Sequence, residues 1–235
     1  MQLFYGTSIE NDTITLTEAE SLHCAKVLRM KAGEKIHVTD GMGHFYTGVI
    51  EVAHDKRTSV NISEVKSVPK PSYEFHLYVA LTKHADRIEW MLEKCVELGI
   101  SSFTPIVTQR TEKKNIRVDR LESTVLSAAK QSLKAWLPKV NEPLKFTDAM
   151  RLANSGNKYI AHCADDSFKK PLPELDTFGI THIFIGPEGD FTPAEVEQSV
   201  QNGFTAISLG ESRLRTETAG LAVCNWMYWS NIKTQ

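Results

Sequence analysis

The chain has 235 residues, 41% of them hydrophobic and 24% charged, with a formal net charge of −2. That length serves one large domain or two modest ones, and the composition is that of an ordinary globular protein with a sizeable core. No window approaches the roughly 18 apolar residues of a membrane span, the N-terminus lacks the basic flank and apolar stretch of a signal peptide, and the expected setting is cytoplasmic.

The first 68 residues read mainly as strands. Thr13–Leu16 is a strand, and Thr17-Glu-Ala-Glu20 is a capping-box pattern that opens a short helix through about Val27. Lys35–Thr39 and Phe45–Val52 flank the turn Asp40-Gly41-Met-Gly43, which is a hairpin signal. Thr58–Val65 alternates as a further strand. The result is a compact β-rich module resembling a small barrel. Pro69-Lys70-Pro71 then stiffens the chain, predicting a boundary between domains 1–70 and 71–235.

Beyond the boundary, strands alternate with helices. Phe75–Leu81 and Phe103–Val107 are strands, separated by a helix whose Ile88, Met91, Leu92, Cys95 and Val96 share one face and which stops at Gly99. Val118 to about Trp136 reads as a helix. Lys158–His162, His182–Ile185 and Ala206–Leu209 are strands, and Thr216 to about Ser230 is an apolar helix. Such alternation predicts an α/β domain with a mostly parallel sheet.

Four scattered cysteines, never as C-x-x-C, and eight histidines without paired spacing predict neither a disulfide framework nor a metal site. Cys95 and Cys224 lie in apolar helical patterns and are expected to be small buried hydrophobes. From Gln109 to Lys145 nine Lys/Arg face four acids, a local charge of +5. Such a stretch is either a surface that tracks phosphates or a solvated helix face.

Two loops carry the chemistry. In the first, Ile-Gly-Pro-Glu-Gly-Asp-Phe (185–191) separates a strand from a helix that opens with Thr192 as cap, Pro193 at its first position and Glu195 at its third. Two glycines permit close backbone approach, and open α/β sheets bind ligands at the carboxyl ends of their strands; a tight strand-to-helix turn is the alternative. The second, Leu209 to Ala219, places Gly210, Arg213, Arg215, Glu217 and three hydroxyls before the last helix. A nucleophile elbow fails at Leu214, a dinucleotide fingerprint fails at Tyr46, and no Gly-Lys-Ser/Thr phosphate loop is present.

The pair Ile-Gly-Pro-Glu-Gly (185–189) and Leu-Gly…Arg-Leu-Arg-Thr-Glu-Thr-Ala (209–219) resembles the signature of the ribosomal RNA small-subunit methyltransferase E family of the SPOUT superfamily. His23-Cys-Ala-Lys-Val-Leu-Arg-Met30 resembles its N-terminal element. Lys83, Asp86-Arg87 and Glu93–Gly99 resemble its first helix, and Ala129–Ser132 its middle helix. The resemblance implies a PUA-like β-barrel for RNA followed by an α/β domain with a C-terminal trefoil knot. It also implies a homodimer, S-adenosylmethionine as methyl donor, and methylation of N3 of one uridine in 16S ribosomal RNA. By position, Gly186, Glu188 and Gly189 would lie in one donor-binding loop, Leu209, Gly210, Leu214 and Thr216 would line the rest, and Leu81-Thr82 would close the pocket.

For RNA, the resemblance brings forward Lys26, Arg29, Arg110, Lys130 and Lys134. Arg215 and Arg29 are candidates for stabilising the reacting base or gripping phosphates. Glu217 is the candidate proton acceptor, with Glu188 as alternate; the competing reading of Glu217 is an acid favoured by the helix dipole. Phe45, Tyr46 and Trp136 either stack on bases or belong to the core. Three positions depart from the family: Lys134 where an Arg is frequent, Gln109 where an acid precedes Arg110, and Asp190 in place of a third glycine. The alternatives are a related methyltransferase acting on a ribose or another base, and an RNA-binding ribosome-assembly module without catalysis.

Overall fold

The structure is a computed structural model that describes residues 2–164 and 169–232. It falls into two compact units: residues up to Lys70 together with Leu126–Leu137, and Pro71–Val125 together with the chain from Pro138 onward.

The first unit is a closed barrel. Its strands are β1 (Leu3–Glu10), β2 (Thr13–Leu16), β3 (Lys35–Thr39), β4 (His44–Val52) and β5 (Ser59–Ser67), in the order β1-β2-β5-β4-β3. The parallel pairing of β1 with β3 closes it. No alternation announces β1, because the four residues of its outer half are all exposed. Helix α1 (Glu18–Leu22) forms half of the predicted capping box: the Thr17 hydroxyl accepts from the Glu20 amide at 3.4 Å, while the Glu20 carboxylate turns to the Tyr5 amide and Lys130. It continues into a wider π turn, His23–Val27. Phe4, Ile14, Leu16, Cys24, Ile36, Val38, Tyr46, Ile50 and Val60 fill the interior.

The Asp-Gly turn between β3 and β4 is built around a buried carboxylate. Asp40 accepts from the amides of Met42 and His44 at 2.7 and 3.2 Å, from His44 Nδ1 at 2.7 Å and from the Tyr46 hydroxyl at 3.0 Å. Burial alone would raise its pKa, but hydrogen bonds to the charged form outweigh that and hold it below the usual carboxylate value. Gly43, at φ +99°, leaves no room for a Cβ, which would meet the Trp136 ring at 2.5 Å. Trp136 donates to the Val68 carbonyl at 3.0 Å and Tyr46 is 6% exposed, so both serve the barrel.

The second unit is a parallel sheet. Its strands are β6 (Glu74–Ala80), β7 (Ser102–Val107), β8 (Lys139–Val140), β9 (Leu144–Lys145), β10 (Asn157–Ala161), β11 (Lys170–Pro171), β12 (Ile180–Ile185) and β13 (Thr205–Ser208). They run β11-β13-β10-β12-β6-β7-β8, with β9 also on β7. The central strands are buried almost end to end, as a sheet covered on both faces requires. Its helices include α2 (Ala85–Glu97), which buries Ile88, Met91, Leu92, Cys95 and Val96 as their spacing predicts. Helix α3 (Val118–Gln131) divides between the two units at 125/126.

Helix α3 ends at Gln131 rather than near Trp136. Leu133 takes φ +55°, and the amides of Ser132 and Lys134 turn back to Ala128 and Ala129 at 2.9 and 2.8 Å. That is a helix-ending turn usually made with glycine, and a leucine in that place gives no sequence signal. Helix α4 (Phe146–Leu152) was also unannounced: Phe146, Ala149 and Met150 make a single turn of apolar spacing. Helix α5 (Pro193–Gln201) starts where its cap predicts, and α6 (Thr216–Asn231) starts at Thr216 as expected, though Arg215 before it makes no side-chain cap. Phe146, Phe184, Phe191 and Phe204 form an aromatic centre on one side of the sheet.

Candidate active site

Because the strands are parallel, their carboxyl ends share one edge. Ile185 at the end of β12 pairs with Val79 of β6 and with Ala161 of β10, and Ala161 pairs with Ile207 of β13. Four connections therefore emerge side by side: residues 81–84, 162–164, 186–192 and 209–215. The candidate donor residues are all in this group except Thr216, the first residue of α6. Leu81 is 2% exposed and donates its amide to Ile106 O at 3.1 Å, and Thr82 is buried with its hydroxyl on His84 O.

The loop after β12 is held from several directions. Pro187–Asp190 is a turn closed by the Asp190 amide on Pro187 O at 2.9 Å. Gly186 O accepts the Thr216 hydroxyl at 2.9 Å, joining this loop to the start of α6. Glu188 accepts the Lys83 amide at 3.2 Å, joining it to the chain after β6. Arg110 donates from Nη1 to Gly189 O at 2.7 Å and to Phe191 O at 3.4 Å. The capping box is complete, the Thr192 hydroxyl accepting from the Glu195 amide and Glu195 Oε2 accepting from the Thr192 amide. The other carboxylate oxygen of Glu195 accepts the Gln109 amide at 2.8 Å. Neither Gly186 nor Gly189 adopts a positive φ; the left-handed corner belongs to Asp190, at +62°.

The loop after β13 is more open. Gly210 stands at φ +113°, where a side chain is strained, and a Cβ there would meet nothing within 4 Å. Leu209 and Leu214 are half-buried, Thr216 is buried and Arg215 is exposed at the cap of α6. Among the described residues Arg215 makes no ion pair. Glu217 is mostly buried and pairs with Arg87 Nη1 of α2 at 3.4 Å. Lys83 pairs with Glu112 at 2.9 Å, a hydrogen bond that raises its pKa.

The RNA candidates are placed differently from one another. Arg110 is occupied by the carbonyls of the first loop. Lys130 lies against Glu20, whose other oxygen accepts the Tyr5 amide at 3.2 Å; this pair is mostly buried within the barrel unit. Lys134 is half-buried. Lys26 is exposed and 3.6 Å from Asp55. Arg29 is exposed at φ +56°, an uncommon backbone for an arginine, and borders a groove of about 600 Å³ with Ala25, Met30, Lys31 and Val52. Sequence reasoning missed the second partner of Glu195 and the grip of Arg110. The capping box was readable, but nothing in it shows which amide the spare oxygen meets.

The chain and its fold match known proteins. Residues 69–228 match the family described as RNA methyltransferase domain, and residues 16–63 match RNA methyltransferase PUA domain. The class is therefore a two-part RNA methyltransferase. A curated relative from Synechocystis, "Ribosomal RNA small subunit methyltransferase E", is 31% identical over 88% of this chain and 70% of its own length. A crystal structure of a probable rRNA-methyltransferase from Porphyromonas gingivalis is 38% identical, with TM-score 0.87 over 98% of both chains. A ribosomal RNA small subunit methyltransferase E from Neisseria gonorrhoeae bound to S-adenosyl methionine is 26% identical, with TM-score 0.84 over 98% of both chains. The chain belongs to the ribosomal RNA small subunit methyltransferase E family.

Proposed function

We propose that this protein methylates N3 of one uridine in 16S ribosomal RNA with S-adenosylmethionine as donor. The observation that carries the reading is the joining of the loops after β12 and β13 through Thr216 and Gly186, beside the open backbone at Gly210. The residues present suit the donor. Leu209 and Leu214, both half-buried, offer apolar surface for a purine, with Leu81 packed beneath the sheet edge, and the space at Gly210 admits a ligand where a side chain would stand. When bound, S-adenosylmethionine supplies an electrophilic methyl group on a sulfonium.

The chain's own residues do the rest. N3 of uridine carries a proton and must lose it before it attacks, which places negative charge on the ring and its carbonyl oxygens. Arg215, exposed and without an ion-pair partner among the described residues, is the cation to stabilise that charge. Glu217, oriented by Arg87, and Glu188, exposed in the first loop, are the carboxylates available to accept the proton. Because N3 lies on the pairing edge, the base must be unpaired or swung out. Lys26 and Arg29 on the barrel are the cations suited to hold the flanking phosphates.

The reading includes a trefoil knot in the second unit, a homodimer and a cytoplasmic setting. Trp90 on α2 and Trp229 on α6, 48% and 65% exposed, supply apolar surface suited to a second copy. Among the described residues no helix is long and apolar enough to cross a membrane. The test is methylation of 16S rRNA and of 30S particles by the purified protein, with the site mapped by reverse transcription. A stop at one uridine is expected, because N3 methylation blocks pairing; a modification that leaves reverse transcription unhindered would point to ribose or another position. Absence of S-adenosylmethionine binding at millimolar concentration would remove the enzymatic reading.

A further inference from the structure

Asp190 stands at the last corner of the loop after β12, at φ +62°. That left-handed backbone is most easily made by glycine, and among side chains Asn and Asp tolerate it best. Both carboxylate oxygens are in use. Oδ1 accepts the amide of the next residue, Phe191, at 2.8 Å, and Oδ2 accepts the amide of Cys163 at 2.8 Å. Cys163 follows β10, the neighbour of β12 in the sheet, so one side chain braces two adjacent connections at the carboxyl edge. Phe191 beyond it is 3% exposed in the aromatic core, while Glu188 and Gly189 before it are exposed. The brace therefore lies between a fixed anchor and the exposed tip of the loop.

We propose that Asp190 is a positioning residue of the methyl-donor site: its carboxylate ties the chain after β10 to the loop after β12 and sets the shape of Glu188–Gly189 before the donor arrives. The proposal rests on the reading that this loop contacts S-adenosylmethionine. Asp190 acts through the backbone rather than by touching the donor, since both its oxygens already face protein amides. Arg110 grips the same loop through Gly189 O. The tip is thus held from the β10 side by Asp190 and from the β7 side by Arg110, and removal of either releases one side only.

The test compares the full chain with Asp190→Gly and Asp190→Asn. Glycine keeps the backbone angle and removes both hydrogen bonds; asparagine keeps the angle and an oxygen for the Phe191 amide. For Asp190→Gly, calorimetry with S-adenosylhomocysteine is expected to show a dissociation constant raised about tenfold. The donor KM should rise in parallel while kcat stays within about twofold. Amide exchange at Cys163 and Gly189–Phe191 should lose protection even without ligand, while Asp190→Asn, whose NH₂ cannot accept from the Cys163 amide, should restore protection at Phe191 but leave Cys163 and donor affinity close to the glycine variant. Asp190→Gly binding the probe like wild type, with unchanged protection, overturns this role alone. Wild-type protein that fails to bind the probe overturns the donor-site reading and this role with it.

Discussion

Thr216 donates its hydroxyl to the carbonyl of Gly186 at 2.9 Å, with both residues buried, so that the start of α6 and the loop after β12 are one structural unit. Thr216→Val keeps the shape but leaves a buried carbonyl without its partner, a loss of about 1–3 kcal/mol. Urea denaturation should show that loss, and calorimetry should show weaker donor binding, while Thr216→Ser retains most of both. A valine variant with wild-type stability and affinity would remove the coupling of the two loops.

Glu195 has a wider part than its position in the helix suggests. Its buried carboxylate accepts the Thr192 amide and hydroxyl at 2.9 and 3.0 Å and the Gln109 amide at 2.8 Å. A capping interaction alone contributes about 1 kcal/mol. Glu195→Gln must turn an amide NH₂ toward one of these donors, so it should cost more, about 2–3 kcal/mol. A loss no larger than that of a typical cap would show that the Gln109 link carries little. Limited proteolysis of the 108–112 segment in the variant gives a second readout.

What the sequence revealed and concealed follows the range of each interaction. The hairpin at Asp40-Gly41, the cap at Thr192 and the apolar face of α2 are written in neighbouring residues and were readable. So were the two Gly-containing loops, because glycines and charged groups at strand ends stand out. The link from Glu195 to Gln109 spans 86 positions and that from Asp190 to Cys163 spans 27, and both use backbone amides that carry no residue signature. The end of α3 was concealed for another reason. Leu133 occupies the left-handed position where glycine would have marked the stop.

That leucine gives a stability prediction. Leu133 is 44% exposed, so little packing is lost on truncation, and glycine removes the cost of a left-handed leucine, roughly 1 kcal/mol. Leu133→Gly should raise the denaturation midpoint of the full chain modestly, and Leu133→Val, β-branched at the same angle, should lower it. The reverse order would show that packing by Leu133 outweighs backbone strain.

Lys130 and Arg29, both candidates for RNA, should separate in a salt titration. Lys130 offsets the mostly buried Glu20 carboxylate, and removing one partner of such a pair costs about 3 kcal/mol because the other charge is left uncompensated. Lys130→Met should therefore lower stability while leaving the salt dependence of RNA binding close to wild type. Arg29→Ala should do the opposite, sparing stability and reducing the slope of log affinity against log salt by about one. An Arg29→Ala slope equal to wild type would mean that Arg29 contacts no phosphate.

His182 sets a pH dependence of stability that is independent of catalysis. Its ring is 5% exposed, stacks on His76 at 4.8 Å, and meets the Tyr78 hydroxyl at 3.2 Å. Burial, followed by the nearby His76 and outweighing the opposing effects of a backbone hydrogen bond to Ser155 and of Glu74, lowers its pKa from 6.5 to about 4; Lys158 adds to the lowering. Between those values the folded ring stays neutral while the unfolded chain takes up a proton. Stability should therefore fall as pH drops from about 6.5 toward 4, by at most about 3 kcal/mol from this group, and its contribution should level off below. His182→Phe keeps the aromatic stack and cannot titrate. Its urea midpoint should vary less over that window than the wild-type midpoint, and parallel curves for the two proteins would rule out His182 as the source.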